Sequence, residues 1–495
     1  MGTWLDGDEM RRVLPAERCG ADLPVPTRVV SNGEYTPIPQ TEKQRRLEAR
    51  IGELADANAR RLGLSRRAFL RTGAGMATAF LAMNEVFGRV FDVTAPEALD
   101  AAAARPVDQL VFDGHLHFVR DDFRQDGMLA LPRYAAEHGW NADLLRDVGL
   151  TVERFKFDNF LKEVYLDSET DIGILSGAPF EDPASWFLSN EQIKRATDAV
   201  NLAAGGRRLL GHALFTPGKD GWMDEIARAI EALRPASLKG YTIGDPGGSS
   251  PHPWRLDDEA LVYPLYERCA RAGIRNICIH KGLLPRNYER SLPGVWRYAT
   301  VDDLPKAAKD WPGLNFVIYH AAFRPFLEDP EPELRRFEET GHIEWVTDLA
   351  EIPRRHGVAN VYADLGTSFA MAAVTHPRLA AGMVAQLVKG LGPENVLWGT
   401  DSVWYGSPQW QIEAFRRMEV PEDLRRRFGL PVLGAPDGAL KSKILGLNSA
   451  RLYGVEPAQV RGGAIGPDTL ARIKQRYRAE GPTPSNRAYG YVAAG

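Results

Sequence analysis

Residues 112–117 of the chain read Phe-Asp-Gly-His-Leu-His, at the end of an apolar run that begins near Gln109. Alternate residues of a β-strand point to the same face, so His115 and His117 are expected to lie side by side. Two imidazoles at this spacing suit a metal ion, although such a pair also occurs in ordinary packing. A metal site therefore requires further ligands from the rest of the chain.

Beyond this segment the chain repeats a short apolar run, a turn and an amphipathic helical stretch, such as the stretches 222–233 and 257–272. Strands that alternate with helices predict a parallel sheet, and eight such runs fit a closed barrel. The sequence therefore predicts an α/β fold, a (β/α)8 TIM barrel with an N-terminal extension and a C-terminal tail. The eight predicted strands are 109–118, 171–177, 208–215, 237–243, 275–280, 315–320, 360–365 and 395–401.

Outside this alternation the chain is more polar. Residues 1–64 are predicted to form an N-terminal polar extension, 106–460 the barrel, and 461–495 a tail that packs on a neighbouring subunit or stays loose. The long gap at 119–168, between the first and second predicted strands, is interpreted as an insertion over the barrel mouth that could serve as a lid. Residues 441–453 are predicted to be a closing helix.

Residues 65–105 resemble a twin-arginine export signal. Arg66 and Arg67 precede an apolar stretch at 73–83, and a small-residue run at 101–104 offers a cleavage site. About sixty residues precede the arginine pair, whereas a short leader is usual. The sequence therefore predicts export to the periplasm by the twin-arginine route, and the alternative is a packed helix in a cytoplasmic protein.

The composition points to small-molecule chemistry. The 495 residues include 61 Lys and Arg against 65 Asp and Glu, a formal net charge of -4, which favours neither nucleic acid nor an anionic membrane as a partner. Three cysteines are too few for a disulfide framework. No integral membrane segment is expected in the mature protein. A small-molecule substrate is expected, and a homo-oligomer is compatible with the sequence.

Three further predicted strands end in a residue that can bind a metal. His280 and His320 close the fifth and sixth strands, and Asp401 closes the eighth. Catalytic side chains of TIM barrels collect at these carboxyl ends. A set of imidazoles and a carboxylate leaves a coordination position for water on a zinc-like ion, which makes the site catalytic.

These features resemble a known family. The Asp-Gly-His-Leu-His segment at 113–117, the strand-end His280 and His320, the Gly-Thr-Asp-Ser turn at 399–402 and the segment 448–453 are similar to the amidohydrolase-related branch of the amidohydrolase superfamily. That branch includes aminocarboxymuconate semialdehyde decarboxylase and related nonoxidative decarboxylases. The resemblance extends over residues 109–455.

The resemblance implies roles for individual residues. His115, His117, His280 and Asp401 match the metal ligands, and Asp401 also matches the group that takes a proton from bound water. His320 matches a catalytic position that polarises the substrate or assists proton transfer. One divalent ion is expected; zinc is the first choice, and manganese, iron and cobalt are alternatives for these donors.

Lys239 lies near the position at which two-metal relatives carry a carboxylated lysine that bridges both ions. The alternative is a plain lysine paired with a carboxylate, because single-metal sites typify the resembled branch. The sequence marks Lys239 as a possible second-metal bridge.

For the substrate the sequence offers five candidates. Lys281, Arg286 and Arg324 come just after the fifth and sixth strands and could hold a carboxylate, and Trp404 and Tyr405 could line an aromatic face. Each is also compatible with a surface ion pair or with loop packing. They suggest a small carboxylated or ring-containing substrate.

Three functions are consistent with the sequence. The first is hydrolysis of an amide, ester or lactone by metal-activated water, with Asp401 as proton shuttle and His320 stabilising the oxyanion. The second is nonoxidative decarboxylation on the same ligands. The third is a catalytically dead barrel that acts in binding or assembly.

Overall fold

A computed structural model of the chain describes residues 12–15, 23–30, 37–100, 108–120, 156–245, 250–284, 289, 294–324, 331–461, 469–484 and 491–494. Most of the predicted insertion at 119–168 and the proposed cleavage site at 101–104 lie outside the described residues.

Within the described residues, eight parallel strands form one sheet in which each strand pairs with the next along the chain. The prediction of a TIM barrel is confirmed. The strands are β1 (Phe112–Leu116), β2 (Ile172–Leu175), β3 (Leu209–Leu214), β4 (Ser237–Tyr241), β5 (Asn276–His280), β6 (Asn315–Tyr319), β7 (Val361–Asp364) and β8 (Val396–Leu397).

The barrel closes where β8 and the residues after it meet β1. The Gly114 amide donates to the Trp398 carbonyl at 2.9 Å, and the Asp401 amide donates to the His115 carbonyl at 2.8 Å. Leu116 forms a parallel bridge with Ser402. The β8 ladder itself is only two residues long, shorter than the predicted 395–401, because the chain turns out of strand geometry before it reaches Asp401.

Helices alternate with the strands around the barrel, as in other folds of this class. The helix predicted at 222–233 is observed as Trp222–Leu233, whereas that predicted at 257–272 begins later, at Tyr263, with a proline in its first turn. The other helices between β2 and β8 are Asn190–Ala204, Leu304–Asp310, Glu331–Thr340, Val346–His356, Ser368–Thr375 and Pro377–Leu391.

After β8 the chain returns to the bottom of β1. Helices Gln409–Arg417 and Glu422–Phe428 come first, and the predicted closing helix is observed as Ala439–Ser442, a π-helical turn Lys443–Leu447 and Asn448–Leu452. Gly446 lies so close to β1 that an added Cβ would be 2.3 Å from the Leu110 carbonyl oxygen. A larger residue here would push the closing segment off the barrel.

The N-terminal region contains a long helix, Glu42–Arg61. It starts at a capping box, in which the Thr41 hydroxyl accepts from the Gln44 amide and the Gln44 side chain accepts from the Thr41 amide. Leu47, Ile51 and Ala55, spaced four residues apart, form its buried face. This face explains why a largely polar segment is helical.

The segment with the arginine pair is folded onto the same body. Helices Arg66–Leu70 and Gly73–Phe87 come one after the other, and the Phe80 ring lies 4.9 Å from the Phe91 ring with both side chains fully buried. Phe91 also bridges Met418, just after the helix Gln409–Arg417. This region therefore shares a hydrophobic core with the barrel.

The C-terminal region also packs on its own chain where it is described. Helix Thr469–Glu480 contacts the segment after the insertion, because the Lys474 ammonium donates to the Ser168 carbonyl at 2.6 Å. The strand Tyr491–Ala493 pairs antiparallel with Val13–Pro15, so both termini meet. Among the described residues, no helix is long and apolar enough to span a membrane.

Candidate metal centre

Three of the predicted ligands converge at the carboxyl end of the barrel. The Nε2 atoms of His115 and His117 are 3.1 Å apart, and Asp401 Oδ1 lies 3.3 Å from the first and 3.2 Å from the second. All three side chains are buried. The alternation of β1 and the junction with β8 together produce this cluster.

These separations are those of metal ligands. Donors about 2.0–2.1 Å from a tetrahedral zinc ion lie about 3.3 Å from one another. Asp401 Oδ1 is a buried oxygen that has no hydrogen-bond partner among the described residues. An oxygen in this state, beside two imidazole nitrogens, fits the place of a divalent cation.

The outer nitrogens of the two histidines are held by the protein. His115 Nδ1 is 3.0 Å from Asp364 Oδ1, and His117 Nδ1 is 2.9 Å from the Ser176 carbonyl oxygen. A carbonyl only accepts, so His117 Nδ1 donates to it, and Nε2 is the nitrogen that faces the cluster. Both imidazoles therefore present Nε2 to the cluster, with the second-nitrogen partners typical of metal-binding histidines.

His320 and His280 form a second pair beside the cluster. His320, His115 and Asp401 have donor atoms that all lie within 4.8 Å of one another. His320 Nε2 is 2.9 Å from His280 Nδ1, while His320 Nδ1 is 3.0 Å from the Gly366 carbonyl oxygen. The structure thus brings His320 into the donor group and places His280 directly behind it. The assignment of His280 as a ligand and His320 as a catalytic group stays a prediction.

The second oxygen of Asp401 is held by Thr367, whose hydroxyl donates to Oδ2. Burial would raise the pKa of Asp401, but the adjacent His117 and His320 imidazoles and the Thr367 hydroxyl lower it overall. Asp401 is therefore held as a carboxylate, the form that binds a cation.

Three of the imidazoles, those of His115, His280 and His320, are held neutral. Burial lowers the pKa of His115 and His280 well below the ordinary value, and the nearby Lys239 ammonium lowers both further. Burial also lowers the pKa of His320, to about 3. Neutral imidazoles have the lone pair that a metal requires.

The backbone at the site is strained. His320, Ala321, Ala322, Thr367 and Asp401 all have φ between 51° and 62°, a region that residues with a Cβ rarely adopt. Such conformations persist where the surrounding structure enforces them, and they cluster at functional sites. Here they turn the donor side chains toward one point.

Lys239, the possible second-metal bridge, is fully buried on β4. Its ammonium lies 3.3 Å from the centre of the Tyr319 ring and 5.3 Å from that of Tyr241. The structure therefore places a cation between aromatic faces, close to the imidazoles whose pKa it lowers. A bridging role for Lys239 stays a prediction.

A polar network lies beneath the donors, inside the barrel. Tyr319 donates to the Gly114 carbonyl at 2.7 Å, and His212 Nε2 is 2.8 Å from the Tyr319 hydroxyl. Ser237 Oγ lies 2.7 Å from the other His212 nitrogen. The Tyr319 ring also packs 4.2 Å from the His115 ring, so this network supports the first ligand from below.

Sequence reasoning missed the acidic partners of the site. Asp364 ends β7 as Asp401 comes just after β8, and this signal was available in the sequence. Two glycines leave space for the His115 and Asp364 side chains. An added Cβ on Gly366 would be 2.3 Å from His115 Nδ1, and one on Gly399 would be 2.1 Å from Asp364 Oδ2. Larger residues at either position would displace the His115–Asp364 pair.

The predicted substrate residues divide into two groups. Lys281 is fully buried and lies 2.8 Å from both Asp303 oxygens, and Arg324 binds Glu289 and Glu344. These cations are used in ion pairs. Arg286 lies outside the described residues.

Of the two aromatic candidates, Trp404 contacts a candidate ligand and Tyr405 is buried. The Trp404 ring stacks on His117 at 5.9 Å, and Phe187 lies 5.1 Å from Trp404. Tyr405 is buried, with its hydroxyl 3.3 Å from Met371 Sδ. A role for Trp404 and Tyr405 in substrate binding stays a prediction.

The model of the amidohydrolase family matches residues 112–455. No curated protein matches the chain.

Several solved structures are similar to the chain. An uncharacterised TIM-barrel protein from Bordetella bronchiseptica is 16% identical over 71% of this chain and 99% of its own, with a TM-score of 0.42. A 2,6-dihydroxybenzoate decarboxylase from Rhizobium is 13% identical over 70% and 99%, with a TM-score of 0.41. A dihydroxybenzoic acid decarboxylase from Polaromonas, with bound manganese, is 15% identical over 71% and 99%, with a TM-score of 0.41.

The role of Asp364 can be tested by Asp364→Asn. The amide retains an oxygen for His115 Nδ1 but cannot ionise and is the weaker acceptor, so we expect zinc affinity to fall about 10- to 100-fold. Competition with a chromophoric chelator measures this. Asp198→Asn, at an exposed ion pair, is the matched control. Wild-type affinity in Asp364→Asn would show that this carboxylate does not support the ligand.

His212 predicts a pH dependence of stability. Burial, aided by the Lys239 charge, lowers its pKa well below 6.5 in the folded chain, so the unfolded chain binds more protons below pH 6.5. The contribution of His212 to the free energy of unfolding is complete above pH 6.5. It is lost as the pH falls toward the pKa of His212 in the folded chain. Between pH 7.5 and 5, we expect the stability advantage of the metal-free wild type over His212→Gln to shrink by about 2 kcal/mol.

Urea unfolding of both proteins at the two pH values measures this difference. A difference that does not change with pH would contradict a neutral buried His212.

Proposed function

The chain belongs to the amidohydrolase family, and we propose that it is a metal-dependent carboxy-lyase that removes carbon dioxide from a small ring-containing carboxylic acid. We choose decarboxylation over hydrolysis because of the contacts that the two Asp401 oxygens make. Its Oδ1 faces the two Nε2 atoms and its Oδ2 accepts from Thr367, so neither oxygen is well placed to shuttle a proton from water. Hydrolysis in this family requires such a shuttle, whereas decarboxylation does not.

The walls of the centre support a planar substrate. Trp404 stacks on His117 at an interplanar angle of 25°, and Tyr241 stacks on His280 at 19° with their ring centres 4.5 Å apart. Aromatic faces beside two of the candidate histidines favour a flat ring in the substrate. The substrate class therefore fits an aromatic or unsaturated cyclic acid.

We assign metal binding to one group of residues and place a second group beside it. His115, His117 and Asp401 would hold the metal, with His280 and His320 beside them. The bound ion supplies positive charge that orients the substrate and stabilises negative charge developing on it. In decarboxylation the bond between ring carbon and carboxylate breaks, its electron pair stays on the ring carbon, and that carbon takes up a proton.

We assign the delivery of that proton to the His280–His320 pair, which first takes up a proton from water because both imidazoles are neutral. A proton shared between His280 Nδ1 and His320 Nε2, which are 2.9 Å apart, lies beside the donor cluster. The Gly366 carbonyl fixes the orientation of His320 through Nδ1. Zinc remains our first choice of metal, and manganese is the alternative to compare with it.

Hydrolysis is the second candidate, because Asp401 Oδ1 has no hydrogen-bond partner among the described residues. Hydrolysis would require that oxygen to accept a proton from water while it also holds the ion. The catalytically dead barrel is not favoured, because the chain belongs to an enzyme family and its donor cluster is intact.

The test separates the two reactions by product. The purified protein, loaded with zinc or with manganese, is incubated in oxygen-18 water with 2,6-dihydroxybenzoate, 5-carboxyvanillate and a set of lactones and amides. We expect carbon dioxide from an aromatic acid and no oxygen-18 in the ring product. The double variant His115→Ala, His117→Ala should bind almost no metal and release no carbon dioxide.

Oxygen-18 in a product without carbon dioxide release would favour hydrolysis. Undiminished activity in the double variant would remove the metal centre from the mechanism.

For localisation, we propose that the arginine pair directs export and that residues 73–99 are retained. Arg66 is exposed and lies 3.2 Å from Asp56, so the pair is accessible on the folded chain. Phe80 and Phe91 are buried against the barrel body, and loss of their segment would uncover that core.

Fractionation of a twin-arginine-competent bacterium tests this. We expect the wild type in the periplasm at a mass that includes residues 73–99, and Arg66→Lys, Arg67→Lys in the cytoplasm. A periplasmic product that begins after residue 104, or equal export of both proteins, would refute the proposal.

A further inference from the structure

A second cavity, separate from the metal centre, lies between the N-terminal helices and the barrel. Its volume is about 300 Å³. Leu70, Thr72 and Met76 line one side, and Glu413 and Arg416 of the helix Gln409–Arg417 line the other. This volume lies at the lower end of the range of small-molecule sites.

Arg416 is the unusual feature of this cavity. Its side chain is 2% exposed, although it carries a full charge. Nε donates to Gln109 Oε1 at 3.0 Å, and Nη1 donates to Glu169 Oε2 at 2.6 Å. Within the described part of the chain, the buried Nη2 has no hydrogen-bond partner. A buried donor in this state is unfavourable unless an acceptor from outside the chain satisfies it.

A carboxylate in the cavity wall accepts no hydrogen bond from the described residues. The partly exposed Asp92 side chain acts on the Lys441 ammonium only through its charge, and its backbone bonds to Arg417. Its neighbour Glu97 is already used, since it accepts from the Thr94 amide at 2.9 Å and lies 3.2 Å from Arg417 Nη1. The wall therefore offers one buried donor without a partner among the described residues and one partly exposed carboxylate that accepts no hydrogen bond from them.

The charge balance decides which ligand fits. Five carboxylates and three guanidinium groups line the cavity, so a simple anion would meet net repulsion. A simple cation would leave Arg416 Nη2 unsatisfied. A molecule with both charges satisfies both groups.

We propose that this cavity binds a small zwitterion with the chemistry of a free amino acid. The ligand carboxylate accepts from Arg416 Nη2, and the ligand ammonium pairs with Asp92. The site does not depend on the proposed reaction.

The helix that carries Arg416 also contacts the turn that precedes Asp401. Gln411, on the same helix as Arg416, donates to the Thr400 carbonyl at 3.3 Å, next to Asp401. The helix Gln409–Arg417 thus lies between the cavity and the residue that precedes a predicted metal ligand.

The test uses the full chain and the free L-amino acids, with acetate and methylamine as single-charge controls. Thermal unfolding and isothermal titration calorimetry are measured at millimolar ligand. We expect at least one amino acid to bind with one-to-one stoichiometry and to raise Tm by about 2 °C or more. Acetate and methylamine should bind at least about tenfold more weakly.

Variants separate the cavity from the metal centre. Met76→Trp fills the cavity without removing a charge, and Arg416→Met removes the donor; each should weaken binding about tenfold or more. Arg426→Met, at a side chain 75% exposed, should bind as the wild type does. The double variant His115→Ala, His117→Ala should also retain binding.

Four results would overturn the proposal. They are the absence of binding by any amino acid, equal binding of acetate, binding that survives Met76→Trp, and binding that is lost with the metal ligands. Because Met76→Trp leaves every ion pair of the cavity in place, its result does not depend on whether Arg416→Met folds.

Discussion

The Asp113 carboxylate joins the first barrel strand to the turn after the eighth, and the candidate metal centre depends on this junction. Oδ1 accepts from the His115 amide at 3.1 Å and from the Thr400 amide at 3.0 Å, and Oδ2 accepts from the Thr400 hydroxyl. Burial raises the pKa of Asp113 to about 7, so this link is made in a region without solvent. It sets the distance between the histidine pair and Asp401.

The remaining donors are positioned by their outer atoms. Asp364 and the Ser176 carbonyl orient His115 and His117, Thr367 orients Asp401, and the Gly366 carbonyl orients His320. Asp364, Gly366 and Thr367 lie at or just after the end of β7, and Ser176 follows β2. Two strand ends therefore orient donors that come from the ends of three other strands. The strained backbone at His320, Thr367 and Asp401 is part of the same arrangement.

The N-terminal region is structurally part of this body. The arginine-pair segment contributes Phe80 and Phe91 to the barrel's hydrophobic core, and residues 70–76 form one wall of the Arg416 cavity. A segment that resembles an export signal can therefore also be a folded layer of the protein. Both properties arise from the same apolar composition, which suits either a signal or a buried helix.

The sequence by itself determined the eight strands, because their apolar runs alternate with amphipathic helices, and it identified His115, His117, His280, His320 and Asp401, because each lies in or just after a strand. It did not reveal that Lys281 and Arg324 are used by Asp303, Glu289 and Glu344, since those partners are distant in sequence. Nor did it reveal Asp364 beside His115, 249 residues away, or the cavity at Arg416. Periodicity reports which face a side chain occupies, whereas the partner of a buried charge is decided only when separate strands and helices pack together.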